Sequence, residues 1–232
     1  MAAVFFSLTA LSNGQSTSAL PELMLQTGHS KAVVALAISP DKRWIASGSF
    51  DNTIRIWDPE TGRELRSMTG HTAVIRSLAC TPDGLTLVSG SNDKTLRLWN
   101  VASGREIRRY DDPAGTVETV AISFDGRLVA SAGSAGTIVV RDIGTWQETA
   151  RLPGHTGGVT ALSFSRDGKL ASIGQDQMVR VWDIARQKAV LTVAENIGES
   201  KALTFNSSGD ILAAAGSDAG RRSCAGTLER AR

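Results

Sequence analysis

From Val33 onward, apolar runs and turn residues succeed one another at short, regular intervals. Val33 to Ile38 is an apolar-rich run, closed by Ser39-Pro40-Asp41. Trp44 to Ser47 is a second run, and Phe50-Asp51-Asn52 reads as a tight turn, because Asp and Asn hydrogen-bond their own backbone and tolerate left-handed conformations. Thr53 to Trp57 alternates with period two, Pro59 to Gly62 turns again, and Arg63 to Met68 is a more polar run. This pattern predicts four short strands, the last the most exposed. No stretch sustains apolar residues at i, i+3 and i+4, which excludes helical repeats. The fold class is therefore all-β.

The same unit recurs. Thr53-Ile54-Arg55-Ile56-Trp57-Asp58 is echoed by Thr95-Leu96-Arg97-Leu98-Trp99-Asn100, Thr137-Ile138-Val139-Val140-Arg141-Asp142 and Met178-Val179-Arg180-Val181-Trp182-Asp183. Successive steps from Trp57 to Trp99, Arg141 and Trp182 are 42, 42 and 41 residues. Gly-His pairs keep step at Gly28-His29, Gly70-His71 and Gly154-His155, with Pro113 in the vacant third place. Units that cannot bury their apolar faces alone must stack on one another, and four-stranded units of this kind stack radially about an axis.

On these motifs the chain resembles the WD-repeat β-propeller family, from about Leu20 to Asp218. The resemblance implies a buried network joining the Gly-His histidine, a Ser or Thr, an Asp and the Trp. Its members here are His29, Ser47, Asp51 and Trp57 in the first unit. The second has His71, Ser89, Asp93 and Trp99, and the fourth His155, Ser172, Asp176 and Trp182. The third unit keeps Ser131 but has Pro113, Ala135 and Arg141 elsewhere, so it is expected to rely on apolar packing alone.

A fifth unit begins near Asn196, with apolar runs at Ala202 to Phe205 and Ile211 to Ala215. Cys224 stands where Trp is expected, and Gly220-Arg221-Arg222-Ser223 replaces the alternating strand before it. Residues 220–232 are accordingly expected to be detached or mobile. The expected architecture is four complete four-stranded blades plus a degenerate fifth, truncated or incompletely closed. The repeats fall at about 28–69, 70–112, 113–153, 154–193 and 194–232 within a propeller of residues 21–232. Pro21 to Thr27 stands where the family places an outer strand that completes the last sheet. Residues 1–20 form a leader. It resembles the later parts of a secretory signal peptide but has no basic residue before Lys31. A cleaved signal and a disordered leader both remain open, and with them a cytoplasmic or an exported location.

Composition narrows the chemistry. The net charge of +2 comes from 25 basic and 23 acidic residues mixed along the chain. There is no basic stripe of the kind that attracts nucleic acid, and no apolar run long enough for a membrane span. All three histidines occupy the Gly-His place, which leaves none for general-base or metal chemistry. Neither Ala132-Gly133-Ser134-Ala135-Gly136 nor Gly90-Ser91-Asn92-Asp93-Lys94-Thr95 has the glycine offsets of a nucleophile elbow or a phosphate loop. Asp111 and Asp112, beside Pro113, read as a solvated loop rather than a cation site. Cys80 aligns with Ile38 and is expected to be a small buried hydrophobe. No enzyme activity, metal or cofactor is expected.

A propeller presents loops of every sheet on one face. The residues just before the network Asp, or its equivalent, are Phe50, Asn92, Ser134, Gln175 and Ser217. Those three beyond the histidine place are Ala32, Val74, Thr116, Gly158 and Glu199. Together they form the candidate face for a protein or peptide partner. The expected function is a non-catalytic protein-interaction scaffold. The alternative is a regulatory or sensor module of a kinase- or protease-type enzyme whose catalytic domain lies outside this chain. Self-association through an incomplete ring is a further expectation.

Overall fold

The computed structural model describes residues 28–112, 115–194, 199–206, 208–209, 211–218 and 221–229. The leader 1–20, the outer strand expected at Pro21 to Thr27, Pro113, Asn196 and Gly220 lie outside them. Every element among the described residues is a strand, and there is no helix long and apolar enough to cross a membrane.

The first sheet contains β1 (Val33–Ile38), β2 (Ile45–Ser49), β3 (Ile54–Trp57) and β4 (Glu64–Met68). The second contains β5 (Ile75–Cys80), β6 (Thr86–Ser91), β7 (Thr95–Asn100) and β8 (Glu106–Asp111). The third is built from β9 (Val117–Ile122), β10 (Leu128–Gly133), β11 (Ile138–Asp142) and β12 (Glu148–Leu152). The fourth has β13 (Val159–Phe164), β14 (Leu170–Gly174), β15 (Met178–Asp183) and β16 (Lys188–Ala194). The fifth has three strands, β17 (Glu199–Phe205), β18 (Ile211–Asp218) and β19 (Arg221–Glu229). Each sheet is an antiparallel meander in chain order. The first strands lie side by side, β1 against β5, β5 against β9, β9 against β13 and β13 against β17, so they form the inner wall of the arc.

Local chemistry explains the regularity. Between the first two strands a hydroxyl and an Asp close the turn. In the second sheet the Thr81 hydroxyl donates to Asp83, whose carboxylate also accepts the Leu85 N–H at 2.9 Å. Between the third and fourth strands, the Asp or Asn after the Trp place accepts backbone N–H groups, as Asn100 does from Ser103 at 2.8 Å and Asp183 from Arg186 at 3.0 Å. Such side chains replace the backbone partners that a tight turn leaves unpaired.

The core lies between sheets. Ile54, Ile56 and Ala46 of the first sheet pack on Ile75, Leu78 and Leu87 of the second, and Val88, Leu96 and Leu98 of the second on Val117, Val120 and Val129 of the third. Close approach needs small residues. A Cβ on Gly48 would stand 2.6 Å from Ile75 Cγ2, and one on Gly90 2.5 Å from Val117 Cγ1.

Two expectations are corrected at the fifth sheet. Residues 221–229 are not detached, because β19 pairs with β18 along its length, with Asp218 opposite Arg221 and Ile211 opposite Glu229. The Trp place is not Cys224. Trp182 pairs with Leu170 in the fourth sheet, and the corresponding partner of Leu212 is Leu228. The hairpin between β18 and β19 is four residues longer than the earlier ones, and this moves Arg221 and Arg222 towards its tip. Cys80 is half-buried rather than buried, with its thiol 3.2 Å from the Ile38 carbonyl.

Candidate functional site

Three units contain a relay of side chains. In the second, the Trp99 indole N–H donates to Ser89 Oγ at 2.8 Å, Ser89 Oγ lies 2.6 Å from His71 Nε2, and His71 Nδ1 lies 2.8 Å from Asp93. Indole is a donor only, so Ser89 accepts from Trp99 and turns its own proton to His71 Nε2. The imidazole must then be the Nδ1–H tautomer, donating to the Asp93 carboxylate. The first unit repeats this order, with Trp57 to Ser47 at 2.7 Å, Ser47 to His29 at 2.7 Å and His29 to Asp51 at 3.0 Å. The fourth keeps the same order of atoms, with Trp182 to Ser172 at 2.8 Å, Ser172 to His155 at 2.7 Å and His155 to Asp176 at 2.8 Å. Here, however, Arg180 Nη1 donates to Asp176 at 2.9 Å and also lies 2.8 Å from His155 Nδ1, so the tautomer argument applies to the first two units. Each Asp also accepts the backbone N–H following its histidine, from Ser30, Thr72 or Thr156. The relay thereby fastens the chain entering a sheet to the turn between that sheet's second and third strands.

Burial alone would raise the Asp51 carboxyl, but bonds from Thr53, His29 and Ser30 outweigh it and lower its pKa to about 2. Asp93 and Asp176 are likewise held below the usual carboxylate range, their hydrogen bonds outweighing burial. The His155 imidazole is pushed below its ordinary value by burial, with Arg180 adding to the effect and Asp176 opposing it. All four shifts have one sign for stability, since the unfolded chain takes up protons that the folded one resists. The unfolding temperature is therefore expected to fall as pH drops below about 6.5, the ordinary histidine value. It should fall further below about 4, as unfolded carboxylates protonate, until the folded groups titrate. Thermal melts followed by circular dichroism between pH 8 and pH 3 check this, and an unfolding temperature constant down to pH 4.5 would contradict it.

The third unit does not rely on apolar packing alone. Asp112, expected in a solvated loop, is buried and accepts from the Ser131 hydroxyl. Arg141 Nη1 lies 3.5 Å from Asp112 Oδ2 and 3.4 Å from Ser131 Oγ. Arg141, 0% exposed as a residue, has its guanidinium Cζ 3.7 Å from the centre of the Tyr110 ring. An acid, a hydroxyl and a cation thus fill the space that His, Ser, Asp and Trp fill elsewhere. Burial demands the pairing, because a lone guanidinium there would cost several kcal/mol, on the order of a large fraction of total stability. Neighbouring Asp111 is exposed. Ala135 is exposed on the turn.

The loop residues come together in pairs. Phe50 N–H donates to the Ala32 carbonyl at 3.0 Å, Asn92 to Val74 at 3.0 Å, Ser134 to Thr116 at 3.3 Å and Gln175 to Gly158 at 2.8 Å. Glu199 and Ser217 are paired across β17 and β18. Each unit therefore sets the tip between its second and third strands beside the entry to its first. Phe50, Ala32, Ser134 and Gln175 are exposed, Asn92, Val74 and Thr116 half-buried, and Gly158 buried.

Two further residues join this face. Arg76 donates from Nε to Asn92 Oδ1 at 3.0 Å and pairs with Glu118 at 3.4 Å, its guanidinium carbon 5.5 Å from the centre of the Phe50 ring. Phe50, Arg76 and Glu118 come from the first, second and third sheets, so this cluster crosses two sheet boundaries. Arg76 and Glu118 sit at the same place in successive repeats, 42 residues apart, with opposite charges. That spacing was the signal for them in the sequence.

A family model described as the IFT122 first beta-propeller matches residues 18–221. Shorter stretches match curated proteins. Ribosome assembly protein 4 of Saccharomyces cerevisiae is 54% identical over 37 residues, 16% of this chain and 7% of that protein. Protein Mut11 of Chlamydomonas reinhardtii is 46% identical over 41 residues, 18% of this chain and 11% of that protein. The Notchless protein homolog of Arabidopsis thaliana is 46% identical over 48 residues, 21% of this chain and 10% of that protein. The matched stretches thus span about a tenth or less of these relatives' lengths. With the repeated sheets and the family match over most of its length, the chain belongs to the WD-repeat β-propeller family of the IFT122 first beta-propeller.

Proposed function

We propose that the protein is a non-catalytic interaction scaffold that binds a protein or peptide partner on the face carrying Phe50, Arg76, Asn92 and Glu118. The observation that carries this reading is Phe50, 37% exposed at a turn apex and covered on one side by the Arg76 guanidinium. Arginine and aromatic residues are enriched at protein interfaces, and arginine is among the residues that carry most of their binding energy. The Phe50 backbone is held by its N–H bond to the Ala32 carbonyl, and the arginine by Asn92 and Glu118, so little of the arginine's side-chain freedom remains to be lost on binding. The Arg76–Glu118 pair makes the patch nearly neutral. That favours a partner supplying an apolar group and hydrogen bonds over a phosphorylated or strongly charged one.

Phe50→Ala combined with Arg76→Ala tests this. Affinity capture from the native source, with identification of bound chains, is expected to recover a partner with the parent protein. The variant should recover it at least about tenfold less well. Unfolding temperatures should stay close, because neither side chain belongs to the inter-sheet core. Equal recovery of the same partner by both proteins would reject this face.

A further inference from the structure

The two ends of the arc expose complementary faces. At every internal junction a large residue of one sheet's first strand enters the small-residue face of the sheet before it. Leu78, Val120, Leu162 and Leu203 occupy one register position, opposite Ser89, Ser131, Ser172 and Ala214, and each is 6–8% exposed. Leu36 holds that position in the first sheet, opposite Ser47, and is 60% exposed. Its neighbours on the same face, Val34 and Ile38, are 44% and 61% exposed. Val34, Leu36 and Ile38 thus form a three-residue apolar row with no sheet against it among the described residues.

Among the described residues, no sheet covers the receiving face at the other end. Its floor at the internal junctions is Ala46, Val88, Ala130 and Ala171, all 0% exposed. By register the fifth sheet's counterpart is Ala213, opposite Thr204, and beside it Ala215 lies opposite Ala202. Ala202 and Thr204 are exposed, and Ala213 and Ala215 half-buried. Thr204 also matches Ser163, whose hydroxyl accepts the Phe205 N–H of the following sheet at 3.2 Å. Ile38 stands at the Phe205 position, opposite Ile45 as Phe205 is opposite Leu212.

We propose that this chain self-associates head to tail, the Val34–Leu36–Ile38 row of one copy seated on the Ala202–Thr204–Ala213–Ala215 face of the next. The occupant is a second copy because the chain itself carries both halves of a contact it already makes four times internally. Such a contact is heterologous: each copy keeps one free half, so assembly continues until the rotation closes a ring. It uses the lateral faces of the end sheets and leaves the Phe50–Arg76 face open, so it stands independently of the proposed function.

The test is sedimentation velocity of the full chain at about 1 to 100 µM, a range that spans weak and moderate association. The parent is expected to form concentration-dependent oligomers. Leu36→Asp and Ala213→Arg, each on an open face of the monomer, should each sediment as monomers while keeping the parent's circular dichroism. Mixed in equal amounts, they should give a dimer and nothing larger, because one sound row then meets one sound receiving face. Ile38→Asp and Ala202→Arg serve as second variants should either of the first misfold. A parent monomeric throughout this range would overturn the proposal. Oligomers that persist in both variants, or a mixture that stays monomeric, would overturn it too. Protection of Leu36 by residues 1–27, or by a different protein, would appear as the first of these results.

Discussion

Asp112→Ala is expected to destabilise the protein by about 3–5 kcal/mol, the range for removing one partner of a buried ion pair. The Asp112 side chain is 0% exposed and that of Arg141 1%. Without the carboxylate, Ser131 loses its acceptor, and among the described residues Arg141 retains the Ser131 oxygen and the face of Tyr110. A ring face offsets a desolvated cation by about 2 kcal/mol, less than a carboxylate partner supplies. Truncating the cation as well should recover much of the loss, so Asp112→Ala with Arg141→Met should cost less than Asp112→Ala alone. Urea unfolding of the single and double variants measures both. A loss under about 1 kcal/mol for Asp112→Ala would mean that this unit does not depend on its buried pair.

Asp93→Ala is expected to cost about 1–3 kcal/mol. It removes the acceptor for His71, for the Thr95 hydroxyl and for the backbone N–H groups of Thr72 and Thr95. Water can reach the Thr72 N–H, which lies at the surface, but not the imidazole, whose side chain is 1% exposed. Asp111→Ala, at an exposed carboxylate one strand away, is the control and should change stability by less than about 0.5 kcal/mol. Equal losses at the two positions would contradict the relay.

The repeat and the three relays were legible because each unit brings the same residue types to the same register. One unit predicts the next. The third unit was not legible that way, because its carboxylate enters from Asp112, one residue before the vacant histidine place at Pro113. Arg141 was read only as a lost Trp. An Arg ending the run Ile138-Val139-Val140 faces a core, and a core position needs an anion nearby. Asp112, beside a proline, carries the signature of a turn and gives no sign in the sequence of its burial. The fifth sheet failed for a different reason. A fixed 42-residue step assumes a hairpin of fixed length, and here the hairpin is longer, so Leu228 rather than Cys224 meets the Trp place. Of the loop face, the paired positions were legible from the repeat. The Arg76–Glu118 bridge was not legible from turn and entry positions, because both residues lie in the strands beside them.

The central claim is that Trp, Ser, His and Asp form a relay in each of three sheets, with its direction fixed in the first two. A long-range nitrogen–proton correlation NMR spectrum of the imidazoles at neutral pH tests it most directly, because the chain contains three histidines and all three belong to relays. The His29 and His71 rings are predicted to be Nδ1–H tautomers, with the Nδ1 proton shifted by its carboxylate partner and slow to exchange with water. Either of these rings in the Nε2–H form, or a rapidly averaged mixture of tautomers, would contradict the relay and the way it fastens the sheets.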